Sequence, residues 1–438
     1  MAEHQGIKQK IHAFSSTYMH AALIIFSLKW LLLAGLIGVV TGSVSALFLT
    51  SLEWATQTRL EHAWLLFLLP FGGGFMSLIY TRYGLASGKG NNLILESIQE
   101  GKSRIPLRMG PLVLVGTILT HLFGGSAGRE GTAVQMGGSF ASWIGQVFKL
   151  DSADTKIILM CGMASGFGSV FGTPLAGTLF GLEVLVIGFM RYEALLPCFI
   201  ASLIGHLTTL AWGVHHVQYS IGTIPEFSIF LLVKVMVASI AFGLTAMLFS
   251  QFTHLMKRTY TSWFKNAMVR GFVGGLVIIL LVYLFGTRDY LGLSLPLLQE
   301  AFAGQSQDTA FLLKILFTSL TLGAGFLGGE VTPLFVIGGT LGSTLGLWLH
   351  EPVGLFAALG LIAVFSGAAN IPVTSFVLGI ELFGSSAAVY MLPACILGYL
   401  FSGHTGIYTS QQVGASKSKL WKIHENDTIA QIKHQKHR

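Results

Sequence analysis

Long stretches of this chain carry no charged side chain, and this feature constrains the fold more than any other. Leu31–Thr50 is a run of twenty residues without a charge, about the length that a helix needs to cross a bilayer. Gly271–Gly286 is a second, shorter run. Only 10% of the 438 residues are charged, which is too few to cover a soluble protein of this size. The sequence therefore predicts a polytopic membrane protein.

Glycine and proline interrupt many of the other apolar stretches. Pro174, Pro333 and Pro372 stand inside or beside such stretches, and 54 residues are glycine. Single glycines of this kind let helices pack closely in a membrane. The pattern nevertheless differs from that of a bundle of plain spanning helices, and it favours helices that are short or broken.

The two ends of the chain are polar and basic. The predicted organisation is a cytoplasmic segment at 1–25, a transmembrane domain at 26–416 and a basic cytoplasmic tail at 417–438. Basic segments beside spanning helices favour the cytoplasmic side, so both termini are predicted to be cytoplasmic, with the protein in the cell inner (plasma) membrane. The net charge of +7 then follows from topology. It does not indicate a nucleic-acid partner, because no basic, aromatic-rich surface stands apart from the apolar part.

Two segments in different halves of the chain share a pattern. Gly128–Ser139 reads GREGTAVQMGGS, and Gly328–Thr340 reads GGEVTPLFVIGGT. Each has a glutamate after a glycine, a threonine two residues later and a Gly-Gly pair further on. On this interpretation Glu130 and Glu330 occupy matching places in the two halves.

A second pair of segments follows the first pair at nearly equal distances. Pro174–Glu183 reads PLAGTLFGLE, and Pro372–Glu381 reads PVTSFVLGIE. The agreement predicts an internal repeat, with repeat one at about 26–212 and repeat two at about 228–416. The glutamates that end these segments are expected to serve structure. The residues alone leave open whether the halves are parallel or inverted.

Paired halves with interrupted helices are typical of secondary transporters, whose substrate site lies near the middle of the membrane where the repeats meet. A helix N-terminus has unpaired N–H groups and a partial positive charge. Helix starts that point at one centre therefore bind an anion without a cationic side chain. Glycines such as those before Glu130 and Glu330 let the backbone approach a small ion closely.

These motifs resemble those of the CLC family of anion channels and transporters, in the same order from about residue 30 to 416. GREGTAVQMGGS resembles the family segment that contains the gating glutamate, PLAGTLFGLE resembles its PLAG helix, and GGEVTPLFVIGG takes the place of its GxFxP segment. Tyr408 takes the place of a tyrosine that binds the central anion. The resemblance implies an all-α fold with CLC-type inverted repeats of broken, tilted helices, and a homodimer with one anion pathway per subunit.

The departures from the family pattern resemble its fluoride branch. Gly88–Ile94, GKGNNLI, stands where chloride members have GSGIP. Thr132 replaces the proline of GREGP, and Val184 stands where proton-coupled chloride members have a proton-relay glutamate. The resemblance implies a secondary active antiporter that exports fluoride in exchange for protons. The alternatives are a chloride or nitrate/proton exchanger, or a passive anion channel, of the same family.

Glu130 and Glu330 are the candidates for gating and proton coupling. A deprotonated Glu130 would compete with the transported anion for helix N–H groups, and a protonated one would leave the site and carry a proton. Helix capping is the alternative explanation for both glutamates. Glu330, as an intramembrane carboxylate, would relay protons or hold Asn91 or Thr332 in position.

Asn91 is the predicted selective contact, because its amide offers two donors to a small, strongly hydrated anion. Asn92 takes that place if the alignment shifts by one residue, and a turn asparagine is the alternative explanation. The predicted anion-binding residues are Asn91, Asn92, Gly128, Arg129, Gly131, Val331, Thr332 and Tyr408.

Fluoride and protons are the predicted partners, with no cofactor and no metal. An intramembrane enzyme is disfavoured, because the sequence has no HExxH, no GxSxG with suitable partners and no paired aspartates. Lys89 is expected to face an aqueous vestibule, and Arg129 to pair with a carboxylate. Lys234 and Lys314 lie in apolar stretches and are expected to extend their ammonium groups to the water boundary.

Overall fold

The structure is a computed structural model that describes residues 2–101, 105–217, 219–418 and 427–435. The first half contains α1 (Ala2–Glu61), α2 (Leu69–Tyr83), α3 (Asn91–Glu100), α4 (Met109–Leu122), α5 (Glu130–Val147), α6 (Ser152–Phe171), α7 (Pro174–Glu183) and α8 (Leu195–Ala211). The second half contains α9 (Ile229–Trp263), α10 (Ala267–Phe285), α11 (Leu295–Phe302), α12 (Ala310–Gly323), α13 (Val331–Leu349), α14 (Val353–Ala369), α15 (Pro372–Phe383) and α16 (Ala388–Phe401). Near the end of the chain, α17 (Ile429–Gln435) packs beside a small parallel sheet of β1 (Val186–Ile187) and β2 (Gln412–Val413).

Six helical segments within these ranges are long and apolar enough to cross a bilayer. They lie at His20–Glu61, Ala63–Tyr83, Tyr192–Ala211, Ile229–Trp263, Ala267–Phe285 and Val331–Leu349. Other apolar helices, such as α4, α12 and α14, are shorter. The prediction of a polytopic helical protein with many short helices is confirmed.

The core lies between α6 and α14, which hold corresponding places in the two halves. Residues 157–171 of α6 and 355–369 of α14 are all buried. Phe167 of α6 stacks nearly parallel to Phe365 of α14, with ring centroids 6.0 Å apart and 13° between the ring planes. Aromatic contact therefore joins the two halves at their centre.

The two halves repeat the same close helix contact. Gly137 of α5 lies against Gly162 of α6, and Gly338 of α13 lies against Gly360 of α14. A Cβ atom at Gly137 or Gly338 would come within 2.1 or 2.2 Å of the facing carbonyl oxygen. Only glycine allows the backbones to approach this closely, which explains the Gly-Gly pair in each motif.

The halves are inverted relative to each other. Glu183, at the end of α7, accepts hydrogen bonds from the backbone N–H and the hydroxyl of Thr374 at the start of α15 (2.7 and 2.6 Å). Glu381, near the end of α15, accepts a hydrogen bond from the backbone N–H of Ala176 at the start of α7 (2.7 Å). Each helix begins where its partner ends, so α7 and α15 are antiparallel. The structure thus decides for inverted repeats, and it gives both glutamates a structural role.

The prediction for the two lysines in apolar stretches is wrong for Lys314. Its side chain is fully buried in α12, and its ammonium donates to the hydroxyls of Ser126 (3.0 Å) and Ser294 (2.8 Å), besides two backbone carbonyls. The reason is that polar loops fold back around α12 and supply enough acceptors inside the protein. Lys234 forms an ion pair with Glu351 at 2.5 Å.

Candidate anion site

The helices α5 and α13 begin side by side where the two halves meet. The segments before them are joined by two antiparallel backbone hydrogen bonds of 2.7 Å between Gly128 and Gly329. A Cβ atom at Gly329 would come within 2.8 Å of the backbone nitrogen of Gly131, and one at Gly128 within 2.9 Å of the Gly329 carbonyl oxygen. The glycines of both motifs are therefore needed for this backbone-to-backbone contact.

This pairing changes the correspondence between the two motifs. Gly128 pairs with Gly329, and Gly137 makes the same helix contact in the first half as Gly338 makes in the second. In this alignment Glu130 corresponds to Val331, and Arg129 corresponds to Glu330. The prediction that Glu130 and Glu330 are repeat-related is wrong by one residue. One residue turns a helical side chain by about 100°, so the two carboxylates lie in different surroundings.

Glu130 is fully buried and bridges the two halves. One carboxylate oxygen accepts hydrogen bonds from the backbone N–H groups of Thr332 (3.0 Å) and Arg129 (3.2 Å), and the other accepts one from the Thr332 hydroxyl. The guanidinium Nε of Arg129 lies 3.6 Å from the carboxylate. The carboxylate of α5 thus caps the start of α13, which is a place where an anion binds. The capping explanation and the tethered-anion explanation describe one and the same geometry.

A cavity of about 880 Å³ opens beside the helix starts. Asn91, Asn92, Glu330 and Tyr408 line it, as does Lys89, which was expected to face such a vestibule. Further basic side chains in its wall are His254, Lys257, Arg258 and Arg270. Positive charge in a cleft raises the local concentration of anions.

A second, small cavity of about 30 Å³ touches the partners of Glu130 from another direction. Arg129, Thr332 and His216 are among its lining residues, and its volume is enough for a single water molecule. Burial, and next the charge of Arg129, lower the pKa of His216, in the loop between α8 and α9, to about 4. His216 is therefore uncharged at neutral pH and adds no positive charge to the wall of this small cavity. Thr332, which binds the Glu130 carboxylate, lines the small cavity, and Glu330, two residues before it, lines the large one.

The two asparagines differ in their contacts. The amide nitrogen of Asn91 lies 3.2 Å from the place that a Cβ atom of Gly131 would take. The Asn91 carbonyl oxygen is buried without a hydrogen-bond partner among the described residues; as an acceptor it can be satisfied by a water, whereas an anion would be bound by the amide N–H groups. Asn92 instead accepts a hydrogen bond from the backbone N–H of Ser410 (2.9 Å). The amide nitrogen of Asn91 is thus a donor beside the start of α5, and Asn92 forms a bond that holds the chain after Tyr408.

The predicted residues fall into two groups. The helix starts bring together Gly128, Arg129, Glu130, Gly131, Val331 and Thr332, with Asn91 beside them. Asn92, Glu330 and Tyr408 lie in the wall of the large cavity. Sequence reasoning missed Ser410 and its partners Glu96 and Gln99, which lie outside the described lining of that cavity. The spacing of Asn92, Glu96 and Gln99 on one helix face was the signal that could have found them.

Inverted halves whose broken helices meet at a buried carboxylate are typical of secondary transporters. The chain belongs to the voltage gated chloride channel family, whose model matches residues 72–403. Over 395 residues it is 48% identical to a chloride/fluoride channel protein of Pseudomonas syringae pv. tomato, covering 89% of this chain and 87% of that protein. It is 28% identical to the H(+)/Cl(-) exchange transporter ClcA of Yersinia pestis bv. Antiqua, covering 80% of each.

Solved structures of the family are similar in fold. The crystal structure of a CLC-type fluoride/proton antiporter matches with a TM-score of 0.85 and 36% identity, covering 88% of this chain and 98% of that one. A slow cyanobacterial Cl⁻/H⁺ antiporter matches with a TM-score of 0.76 at 23% identity, covering 87% and 96%, which supports the fold alone. The predictions of the family, of the fold and of a transport protein that is not an enzyme are confirmed.

Proposed function

We propose that this protein exports fluoride in exchange for protons. The observation that carries the proposal is the buried Glu130 carboxylate, which accepts the backbone N–H of Thr332 at the start of α13 (3.0 Å). A transported anion would use the same donor, so carboxylate and anion exclude each other. The similarity to a chloride/fluoride channel protein and to a fluoride/proton antiporter supports fluoride as the anion.

Proton coupling follows from this competition. A proton on Glu130 removes its negative charge and weakens its hold on the Thr332 N–H and hydroxyl groups. The side chain then leaves the helix start, and the anion binds there in its place. On return, the carboxylate loses its proton and displaces the anion. In this proposal Glu330, which lines the large cavity, passes protons between water and this centre.

Asn91 supplies the preference for fluoride in this proposal. A small, strongly hydrated anion needs several close donors to replace its water, and an amide offers two N–H groups. Asn91 stands beside Gly131 at the start of α5, close to where an anion held by the helix starts would lie. Tyr408 is a further hydroxyl donor in the cavity wall.

We propose the assembly and location on the same grounds. The family resemblance supports a homodimer in the cell inner membrane. The large cavity, whose wall includes Ala430 of the C-terminal helix α17, has four lysine and arginine side chains besides His254. An excess of basic residues favours the cytoplasmic side, so the cavity would open to the cytoplasm, together with both termini.

Purified protein in liposomes tests the function. Vesicles loaded with potassium fluoride or potassium chloride are compared in one assay, with a fluoride electrode, a chloride electrode and a pH electrode outside. We expect fluoride to leave much faster than chloride, with protons moving in the opposite direction. Equal fluoride and chloride rates with proton movement would instead establish a general anion/proton exchanger. Fluoride efflux without proton movement would establish a passive channel.

A further inference from the structure

Three side chains on one face of α3 bind every polar group of a single serine. The Asn92 carbonyl oxygen accepts the Ser410 backbone N–H, the Ser410 hydroxyl donates to Glu96, and the Gln99 amide donates to the Ser410 carbonyl oxygen. Each of these three bonds is 2.9 Å long. The spacing of the three residues places them on one side of a helix. This set of four residues is called the Ser410 clamp below.

The Ser410 clamp lies between two residues of the anion site. Asn91 precedes Asn92 on α3, and Tyr408 is two residues before Ser410, so the clamp links the backbones that hold them. Both side chains line the large cavity, whose described lining includes neither Glu96 nor Gln99 nor Ser410. Of the clamp residues, only Asn92 is part of this described lining, and the other three lie outside it.

The chain around Tyr408 is held on its other side by separate bonds. The backbone N–H of Ile407 donates to Ala368 (2.9 Å), and the Gln411 amide donates to the carbonyl oxygens of Val184 (2.9 Å) and Ala369 (3.0 Å). These bonds fix the segment to the ends of α7 and α14. Because these bonds do not involve α3, loss of a clamp bond leaves the segment folded but allows the distance between the segment and α3 to vary.

We propose that the Ser410 clamp is a positioning device that sets the gap between Asn91 and Tyr408 and thereby the anion preference. The inference rests on the proposed function, in which these two side chains contact the ion. A site that replaces the water around a small anion needs its donors held to within about 0.5 Å. Glu96 also accepts a hydrogen bond from Lys89 (2.6 Å) in the cavity wall. The clamp is therefore bonded to one of the basic side chains that line the large cavity.

The test measures the relative rates of fluoride, chloride and nitrate efflux from liposomes. Gln99→Leu removes the donor to the Ser410 carbonyl, and Ser410→Ala removes the donor to Glu96. We expect each variant to change the ratio of fluoride to chloride rates by about threefold to tenfold, since one hydrogen bond contributes about 0.5–1.5 kcal/mol. Ser410→Thr keeps the hydroxyl and should restore the wild-type ratio. Ser416→Ala removes a hydroxyl farther along the same segment, away from α3, and should leave the ratio unchanged.

Hydrogen exchange followed by mass spectrometry provides a second readout. In Gln99→Leu, the amides of residues 408–411 should exchange faster than in the wild type, while those of α14 should not. Anion ratios that stay unchanged in both Gln99→Leu and Ser410→Ala would overturn the clamp, whichever anion the wild type prefers. A wild-type protein that does not prefer fluoride would overturn the proposed function instead, and the clamp would still be judged by the change in ratios. If Gln99→Leu elutes as an aggregate, the test is made with Ser410→Ala alone.

Discussion

Two pairs of repeat-related helices in this molecule use carboxylates in opposite ways. In the pair α7 and α15, Glu183 binds the start of α15 and Glu381 binds the start of α7, so the caps are reciprocal. In the pair α5 and α13, Glu130 binds the start of α13, but the corresponding residue in the other half is Val331, which cannot return the bond. One pair is symmetric in its chemistry, and the other is not.

The difference separates structure from function. Reciprocal caps satisfy both helix starts with groups of the protein, and nothing remains there for an ion to bind. In the α5 and α13 pair a single carboxylate serves one helix start, and its neighbours line two cavities, Asn91 the large one and Thr332 the small one. A proton that loosens this one carboxylate leaves a helix start without a partner, which is the condition for anion binding. The following predictions test this contrast, from the largest expected effect to the smallest.

Glu130→Gln is expected to abolish proton coupling. The amide has nearly the shape of the protonated acid but cannot exchange a proton or act as a competing anion. A fluoride gradient should therefore no longer drive proton movement in liposomes, while fluoride flux itself either persists uncoupled or stops. Glu183→Gln, the same substitution in the symmetric pair, is the matched control and should keep coupling. Undiminished proton pumping in Glu130→Gln would refute the gate, provided that size-exclusion chromatography shows a folded protein.

Glu330→Gln should slow coupled transport without abolishing it. Glu330 lines the large cavity but does not correspond to Glu130 in the repeat, so we expect it to assist proton transfer and not to compete for the helix start. The rate of fluoride-driven proton movement should fall by about a hundredfold, the lower end of what one proton-transfer group typically contributes, with the ratio of protons to fluoride unchanged. A complete loss of coupling would make Glu330 an equal partner of Glu130.

Asn91→Ser should weaken the discrimination against chloride. The shorter side chain withdraws from Gly131 and exchanges two amide donors for one hydroxyl, so a larger and less demanding anion fits. We expect the ratio of fluoride to chloride efflux to fall by about tenfold, corresponding to roughly 1.4 kcal/mol. An unchanged ratio would move the selective contact to Asn92, Thr332 or Tyr408.

Glu183→Gln should lower stability while leaving ion selectivity and coupling intact. Its amide NH₂ would face the backbone N–H of either Val373 or Thr374, and the loss of that charge-assisted hydrogen bond costs about 1.5–3 kcal/mol. Glu381→Gln should cost less, because Glu381 is partly exposed whereas Glu183 is buried. Apparent unfolding temperatures in detergent measure the loss of stability in both variants. An altered proton-to-fluoride ratio in either variant would show that the symmetric pair also takes part in transport.

Much of the fold could be predicted because it depends on local patterns. Uncharged runs such as Leu31–Thr50 determine membrane spans, since lipid excludes charge and unpaired backbone groups. The paired motifs around Glu130 and Pro174 predicted the repeat, because close helix packing requires glycine at particular places. The helix starts were predictable for the same reason. Family resemblance supplied the inversion, which no residue pattern could give.

The sequence by itself determined that this chain is a membrane protein, that it contains an internal repeat, and that an intramembrane carboxylate lies beside a helix start. Only the tertiary structure decided which groups meet. Three contacts join residues that are far apart in the chain. They are the backbone pairing of Gly128 with Gly329, the hydrogen bond from Thr332 to Glu130, and the hydrogen bonds between α3 and Ser410. Such contacts depend on how two halves dock, and local patterns do not specify docking. The side chain of Lys314, buried among oxygen atoms from distant loops, could not have been distinguished from an exposed lysine for the same physical reason.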